Sequence, residues 1–100
     1  MAQSLAKVYI HAVFSTKGRE PLLAEPWRDE LFRVIGGITN NVGCQSLLVG
    51  GVADHVHILF QLTRTISIAD AIKGIKSNSS SWINQTRGLP RRFHWQAGYA

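Results

Sequence analysis

Two histidines separated by a single residue are the part of this sequence best suited to chemistry. His55 and His57 fall in a segment that alternates in polarity, so both side chains are expected on one face of a β-strand, about 7 Å apart. Imidazoles placed in this way can offer neutral nitrogens to one divalent ion. Asp54 directly precedes the pair, and Gln61 lies further along the same face. Most isolated pairs of this kind are solvated histidines, because a metal site also needs a third ligand and supporting residues.

Three segments show the alternation that is typical of β-strands, at about residues 5–15, 44–52 and 55–62. In the first segment, Ala12 and Phe14 share one face, and His11 and Val13 share the other. The third segment has one apolar face and one mixed face, which favours an antiparallel sheet that is covered on one side only. A last strand is expected to begin at Phe93.

Two amphipathic helices are predicted between these strands, at about residues 26–42 and 67–87. Pro26 suits the first position of a helix, and Gly43 suits its C-terminal cap. Ser67 and Asp70 resemble a capping box at the start of the second helix. The inward-facing stripes are expected to be Trp27, Leu31, Val34, Ile35, Ile38 and Val42 in the first helix and Ile68, Ile72, Ile75, Ser79, Trp82 and Ile83 in the second.

Two pairs of adjacent glycines interrupt these patterns. Gly36 and Gly37 weaken the first helix by roughly 1 kcal/mol each relative to alanine, which indicates a close approach to a neighbouring element. Gly50 and Gly51 do not open a helix and lack a phosphate-loop pattern, so we interpret them as a strand irregularity.

The predicted order of elements is strand, helix, strand, strand, helix, strand. This order indicates an α+β fold of the ferredoxin-like, split βαβ type, with an antiparallel sheet and two helices on one face. The whole chain, residues 1–100, is expected to form one domain. The other face of the sheet is left for a ligand, a partner or water.

The composition is that of an ordinary globular protein with a basic surface. The chain is 45% hydrophobic and 17% charged, with a net charge of +5 that favours polyanionic partners such as nucleic acid. Cys44 is the single cysteine, so neither an intrachain disulfide nor a Cys-rich zinc site is possible. Neither a signal peptide nor a membrane span is recognisable, and the cytoplasm is the expected compartment.

Three segments of the sequence resemble one protein family. They are VFSTK at residues 13–17, DHVHIL at 54–59 and WQAGY at 95–99. In this order and at these separations they are similar to the single-tyrosine HUH transposases of insertion sequences and their REP-associated relatives. The resemblance spans nearly the whole chain, and the central segment is its most specific part.

The resemblance implies a DNA transposase core that binds single-stranded or hairpin DNA and a divalent metal, Mg²⁺ or Mn²⁺. Family members cleave DNA and transfer the strand through a 5′-phosphotyrosine link. His55 and His57 match the positions of the metal ligands, where the ion would polarise the scissile phosphate.

The nucleophile of the family has no match in this sequence. In the family, the catalytic tyrosine lies on a helix after the last strand, and a glutamine that completes the metal site follows it. This chain ends at Ala100, and its two tyrosines are Tyr9 and Tyr99. Tyr99 matches the structural tyrosine of the WQAGY segment, and Tyr9 is expected to pack on the open face. We therefore assign no catalytic residue and expect either a truncated fragment or a relative that no longer cleaves.

Several basic and aromatic residues are candidates for DNA contacts. The cations could hold phosphates, and the rings of His94 and Trp95 could stack on unpaired bases. The candidate DNA-binding residues are Lys17, Arg19, Lys73, Lys76, Arg91, Arg92, His94 and Trp95. The cluster from Arg91 to Trp95 is the strongest of them.

Two other functions remain open at this stage. One is a non-catalytic ferredoxin-like module that binds nucleic acid, and the other is a small oligomerising domain whose open sheet face is an interface. A homodimer is expected in any case, because an unfinished last strand and outward-facing apolar residues such as Val13 and Leu59 need cover. Transposases of the similar family are also dimers.

Overall fold

A computed structural model describes residues 7–63 and 65–99 of the chain. Five main elements follow one another, and a short 3-10 turn at Lys17–Arg19 lies after the first strand. In chain order they are β1 (Val8–Ser15), α1 (Glu25–Asn41), β2 (Gln45–Val52), β3 (His55–Leu62) and α2 (Ile68–Thr86).

The sheet has three strands in the order β1-β3-β2, with antiparallel pairing on both sides of β3. The middle strand is therefore inserted between β1 and β2, which run parallel to each other and are joined through α1. This is the split βαβ arrangement that the alternating strands and the two helical stripes predict. The α+β class, with its antiparallel sheet and two helices, is confirmed.

One face of the sheet forms the core together with both helices. Ala12 and Phe14 of β1 and Val56, Ile58 and Phe60 of β3 are each 0–1% exposed. Because side chains alternate along a strand, the residues between them lie on the opposite face. That opposite face carries both histidines of the His-x-His pair.

The helix ends follow the capping signals in the sequence. α1 begins next to Pro26, and Gly43 follows it with the positive φ of 96° that a left-handed cap requires. The hydroxyl of Ser67 accepts a hydrogen bond of 3.1 Å from the backbone N–H of Asp70. Ile68, which the predicted stripe placed inside, is 37% exposed at this first turn of α2.

The close approach between helices occurs at a different glycine from the predicted pair. A methyl group on Gly37 would meet nothing within 4 Å, and one on Gly36 would make only an ordinary contact with Ser46. A methyl group on Gly74 of α2, in contrast, would lie 2.9 Å from Cγ1 of Val42. Gly74 therefore allows α2 to pack closely against the end of α1.

The predicted last strand is reduced to a single β-bridge between Thr16 and Trp95 among the residues described. Side chains of α2 instead form hydrogen bonds with backbone groups of the C-terminal segment, which would pair with β1 in a longer strand. The amide of Asn84 accepts from the Phe93 N–H (2.6 Å) and donates to its carbonyl (3.1 Å). The ammonium of Lys76 donates to the carbonyls of Gln96 and Gly98, both at 2.7 Å.

Within residues 7–63 and 65–99, neither helix has the length and apolarity that crossing a membrane requires.

Candidate metal and nucleic-acid site

The two histidines of the predicted pair lie on the sheet face opposite the core. On β3, His57 is paired across the sheet with Val13 of β1 and Gly50 of β2, and His55 is paired with Ser15 and Val52. Both histidines are half-buried, whereas Val56 between them is fully buried. The alternation in the sequence therefore predicts their common face correctly.

His55 is held in place by a short chain of polar contacts. Its Nδ1 lies 2.9 Å from Oδ1 of Asp54, and Oδ2 of Asp54 accepts a hydrogen bond of 3.2 Å from Nε of Arg19. The hydrogen bond from His55, followed by the guanidinium of Arg19, holds the pKa of Asp54 below its usual range. The carboxylate consequently stays ionised at neutral pH and fixes the ring of His55 through Nδ1, which leaves Nε2 for a ligand.

The paired glycines of β2 make room for the histidine strand. A methyl group on Gly50 would lie 3.1 Å from Cε1 and 3.2 Å from Nε2 of His57, and one on Gly51 would collide with the backbone of His55. The predicted strand irregularity is instead located between Ser46 and Leu48. A glycine at position 50 thus lets the imidazole of His57 lie over the backbone of β2.

A third histidine, His11 of β1, faces the same site. Its ring centre lies 5.7 Å from that of His57, and the two ring planes are almost perpendicular at 82°. The alternation of the first strand places His11 on the open face, but nothing in the sequence pairs it with His57, because strand register is a tertiary property.

The donor set suits a divalent ion only in part. Imidazoles on one face, a carboxylate that supports one of them, and a cradle that a methyl group would fill are all features of metal sites with nitrogen ligands. Over the part of the chain that the structure describes, however, no three side chains among His, Cys, Asp and Glu are gathered closely enough to hold an ion.

A basic groove lies beside the loop that follows β1. It has a volume of about 500 Å³ and is lined by Lys17, Arg91, Arg92 and His94, together with Glu20 and apolar residues. Glu20 pairs with Arg91 at 3.1 Å, but both side chains remain well exposed. Four of the predicted DNA-binding residues are therefore brought together here.

A second cavity, of about 440 Å³, lies between α2 and the C-terminal segment and includes Lys73, Lys76 and Tyr99 in its lining. Lys73 is exposed and free to reach a phosphate. Lys76 is half-buried and already binds two carbonyls, and its ammonium lies 5.7 Å from the ring centre of Phe14. Burial lowers the pKa of Lys76. Lys76 thus anchors the C-terminal segment.

Trp95 does not occupy the surface position that stacking on a base requires. It is 8% exposed, and its indole N–H donates to the hydroxyl of Ser79 at 2.9 Å. Its ring packs edge-on against Phe14 at 5.9 Å and Phe93 at 4.9 Å between centres. The prediction that Trp95 stacks on a base is therefore wrong, because its apolar ring is part of the core. His94 is exposed and stays a candidate for stacking.

The two tyrosines of the sequence lie apart from the histidine pair. Tyr9 is 53% exposed and pairs across the sheet with Gln61, which lies four residues along β3 from His57. Tyr99 is 52% exposed and lines the cavity beside α2.

Comparison with known proteins places this geometry in context. The model of a family described as IS200-like transposases matches residues 4–100. The fold is similar to that of a candidate transposase from Deinococcus radiodurans R1, with a TM-score of 0.87, 22% identity and coverage of 100% of this chain and 83% of that one. It is also similar to a REP-associated tyrosine transposase bound to a REP hairpin, with a TM-score of 0.63 and 14% identity. That match covers 99% of this chain and 60% of the other. No curated protein matches the chain.

Proposed function

This chain belongs to the family of IS200-like transposases, and from that premise we propose that it binds single-stranded or hairpin DNA together with a divalent ion, Mg²⁺ or Mn²⁺. One observation carries the proposal. Asp54 links the histidine face to the loop that follows β1, because its carboxylate contacts His55 on one side and Arg19 of that loop on the other. A phosphate held by the loop would thus lie close to the histidine face.

His55 and His57 are the residues that would hold the ion, as a pair of ligands on one face of the sheet. Both offer imidazole nitrogens on one face, Asp54 orients the first, and Gly50 leaves space for the second. When bound, the ion would supply a Lewis acid that polarises a phosphate oxygen.

The remaining residues of the site are assigned to the DNA. Lys17, Arg91 and Arg92 line one groove and would neutralise successive phosphates, while exposed His94 would pack against an unpaired base. The hairpin bound to the REP-associated relative supports DNA of this kind as the ligand. Lys73 extends the basic surface along α2.

Family chemistry is cleavage and strand transfer through a 5′-phosphotyrosine, and we propose that these 100 residues bind DNA without forming that link. Attack requires a tyrosine oxygen about 3–3.5 Å from phosphorus, in line with the leaving oxygen. Neither exposed tyrosine is a good candidate for this nucleophile. Tyr9 pairs with Gln61, four residues along β3 from His57, and Tyr99 lines the cavity beside α2.

The test uses a labelled hairpin with a single-stranded flank, incubated with the protein and Mg²⁺ or EDTA. We expect binding that weakens with salt, with a slope that falls by about 0.7 when Arg92→Gln removes one phosphate contact. Arg33→Gln, on the exposed side of α1, is the charge-matched control and should leave the slope unchanged. No binding at low salt would refute the nucleic-acid function, and binding that ignores the metal would favour a non-catalytic binding module.

The same reactions, run on a denaturing gel, test the absence of a covalent link. We expect no shifted band. A band that disappears in Tyr99→Phe would show that Tyr99 is the nucleophile. A band that survives both Tyr9→Phe and Tyr99→Phe would point to a different chemistry.

We also propose that the chain forms a homodimer through the edge of its sheet at β2. Within the described sheet β2 is an edge strand, and its Leu48 and Val52 are 57% and 47% exposed. Light scattering should give twice the chain mass of 11.1 kDa. Leu48→Lys should shift the protein to monomer, and a wild-type monomer at high concentration would contradict the proposal.

A further inference from the structure

We propose that the cavity beside α2 is a pocket for one unpaired nucleotide of the bound DNA strand, with the ring of Tyr99 as its stacking surface. This inference rests on the proposed function, since it presupposes that the strand lies in the basic groove. It extends that function by assigning the second cavity, and with it Tyr99, to the recognition of a single base.

The cavity beside α2 adjoins the basic groove. His94 belongs to the lining of both, so the two depressions meet at one exposed side chain. The groove contributes three further cations, and the cavity contributes Lys73 and Lys76. A strand held in the groove can therefore continue past His94 into the cavity while its phosphates stay close to positive charge.

The lining of the cavity has both characters that a nucleobase requires. Its apolar part includes Ile72 and the ring of Trp95, which are 2% and 8% exposed. Its polar part includes Lys73 and the hydroxyl groups of Ser77 and Ser80. The volume of about 440 Å³ lies within the roughly 300–1,000 Å³ that is usual for sites of small ligands. A base would place its faces against the apolar side chains and its edges toward the hydroxyl groups.

Tyr99 supplies the aromatic surface that stacking requires. Its side chain lines the cavity and is 52% exposed, and no aromatic pair among the described residues includes its ring. Gly98, directly before it, has a φ of 81°, in the left-handed region that favours glycine. The ammonium of Lys76 binds the carbonyls of Gln96 and Gly98 at 2.7 Å, so the segment that carries Tyr99 is fixed to α2. The pocket is thus formed before DNA binds, which lowers the entropic cost of holding a base.

The test is an abasic scan of the single-stranded flank of a labelled hairpin, measured by fluorescence anisotropy in Mg²⁺. Each flanking nucleotide is replaced in turn by an abasic analogue that keeps the phosphate. We expect a position at which loss of the base weakens wild-type binding about tenfold, as for the loss of one stacked base. Tyr99→Ala should weaken binding of the intact hairpin by a similar factor and should be insensitive to the abasic analogue at that position.

Two tyrosine variants serve as matched controls. Tyr99→Phe keeps the ring and should bind as the wild type does. Tyr9→Ala removes a tyrosine of nearly equal exposure, 53%, from β1, and should keep the wild-type affinity and abasic profile. At the sensitive position, 2-aminopurine should lose fluorescence on binding to the wild type and to Tyr99→Phe but not on binding to Tyr99→Ala. A merely structural role of Tyr99 would not produce that difference.

The outcomes separate this inference from the proposed function. A flat abasic profile in a wild type that binds the hairpin, or wild-type affinity in Tyr99→Ala, would refute the pocket and leave the function standing. A sensitive position that depends on His94 and not on Tyr99 would assign the stacked base to the groove and would also refute the pocket. If the wild type does not bind the hairpin at low salt, both proposals fail.

Discussion

Replacing Gly50 with alanine separates fold stability from metal binding. The added methyl group would lie 3.1 Å from Cε1 of His57, whereas carbon atoms in contact prefer about 3.5–4.0 Å. The imidazole must therefore move by about half an ångström, which is the tolerance of a preorganised site. The atoms that the new methyl group meets belong to the half-buried side chain of His57, which can move, so the backbone of β2 need not shift.

We expect Gly50→Ala to weaken Mn²⁺ binding about tenfold, which corresponds to about 1.4 kcal/mol. Stability should be unchanged or slightly higher, since alanine restricts the unfolded chain relative to glycine by roughly 0.4–1 kcal/mol. Calorimetric titration gives the affinity, and urea unfolding gives the free energy of unfolding. Gly37→Ala is the matched control, because its methyl group would meet nothing within 4 Å. It should stabilise α1 by roughly 1 kcal/mol and leave the affinity alone.

A Gly50→Ala protein that binds Mn²⁺ with wild-type affinity and shows unshifted His57 ring signals would refute this dependence of the metal site on Gly50. In that case the ring would not depend on the space above the glycine. A loss of stability in Gly50→Ala would also count against it, because it would mean that the backbone and not the imidazole gives way.

Three further predictions concern the core, the helix contact and the support of His55. Trp95→Ala should lower the free energy of unfolding by about 3–5 kcal/mol in urea titrations, whereas His94→Ala should weaken DNA binding at unchanged stability; the reverse pattern would restore Trp95 as a stacking residue. Gly74→Ala should destabilise the protein by about 1–3 kcal/mol through overpacking, and adding Val42→Ala should recover most of that loss if the contact is the cause. Asp54→Asn should weaken Mn²⁺ binding by about 10–100-fold in calorimetry, and unchanged affinity would show that the carboxylate does not support His55.

The sequence predicts well those features that depend on local periodicity. Alternation places His55 and His57 on one face because successive side chains of any strand point to opposite sides. Ser67 caps α2, and Gly43 ends α1, for reasons contained within one helical turn. The order of strands and helices then predicts the α+β fold.

Features that depend on register and packing between distant segments are not predictable in this way. The contact between His11 and His57 depends on a register shared by two strands, and the contact between Gly74 and Val42 depends on how two helices meet. The basic residues before Trp95 suggest a surface aromatic, but its ring packs against Phe14 and Phe93 in the core, a contact between segments that are distant in the sequence.

The most direct test of the central claim asks whether metal and DNA share one site. Fe²⁺ is loaded in place of Mg²⁺ or Mn²⁺, since imidazole and oxygen ligands accept it, and ascorbate with peroxide then generates radicals that cut DNA near the ion. With a labelled hairpin bound, we predict cuts confined to a few nucleotides of the single-stranded flank, and their loss in His57→Ala. Uniform cutting, or focused cutting that persists in a His57→Ala protein that still binds the hairpin, would contradict the account.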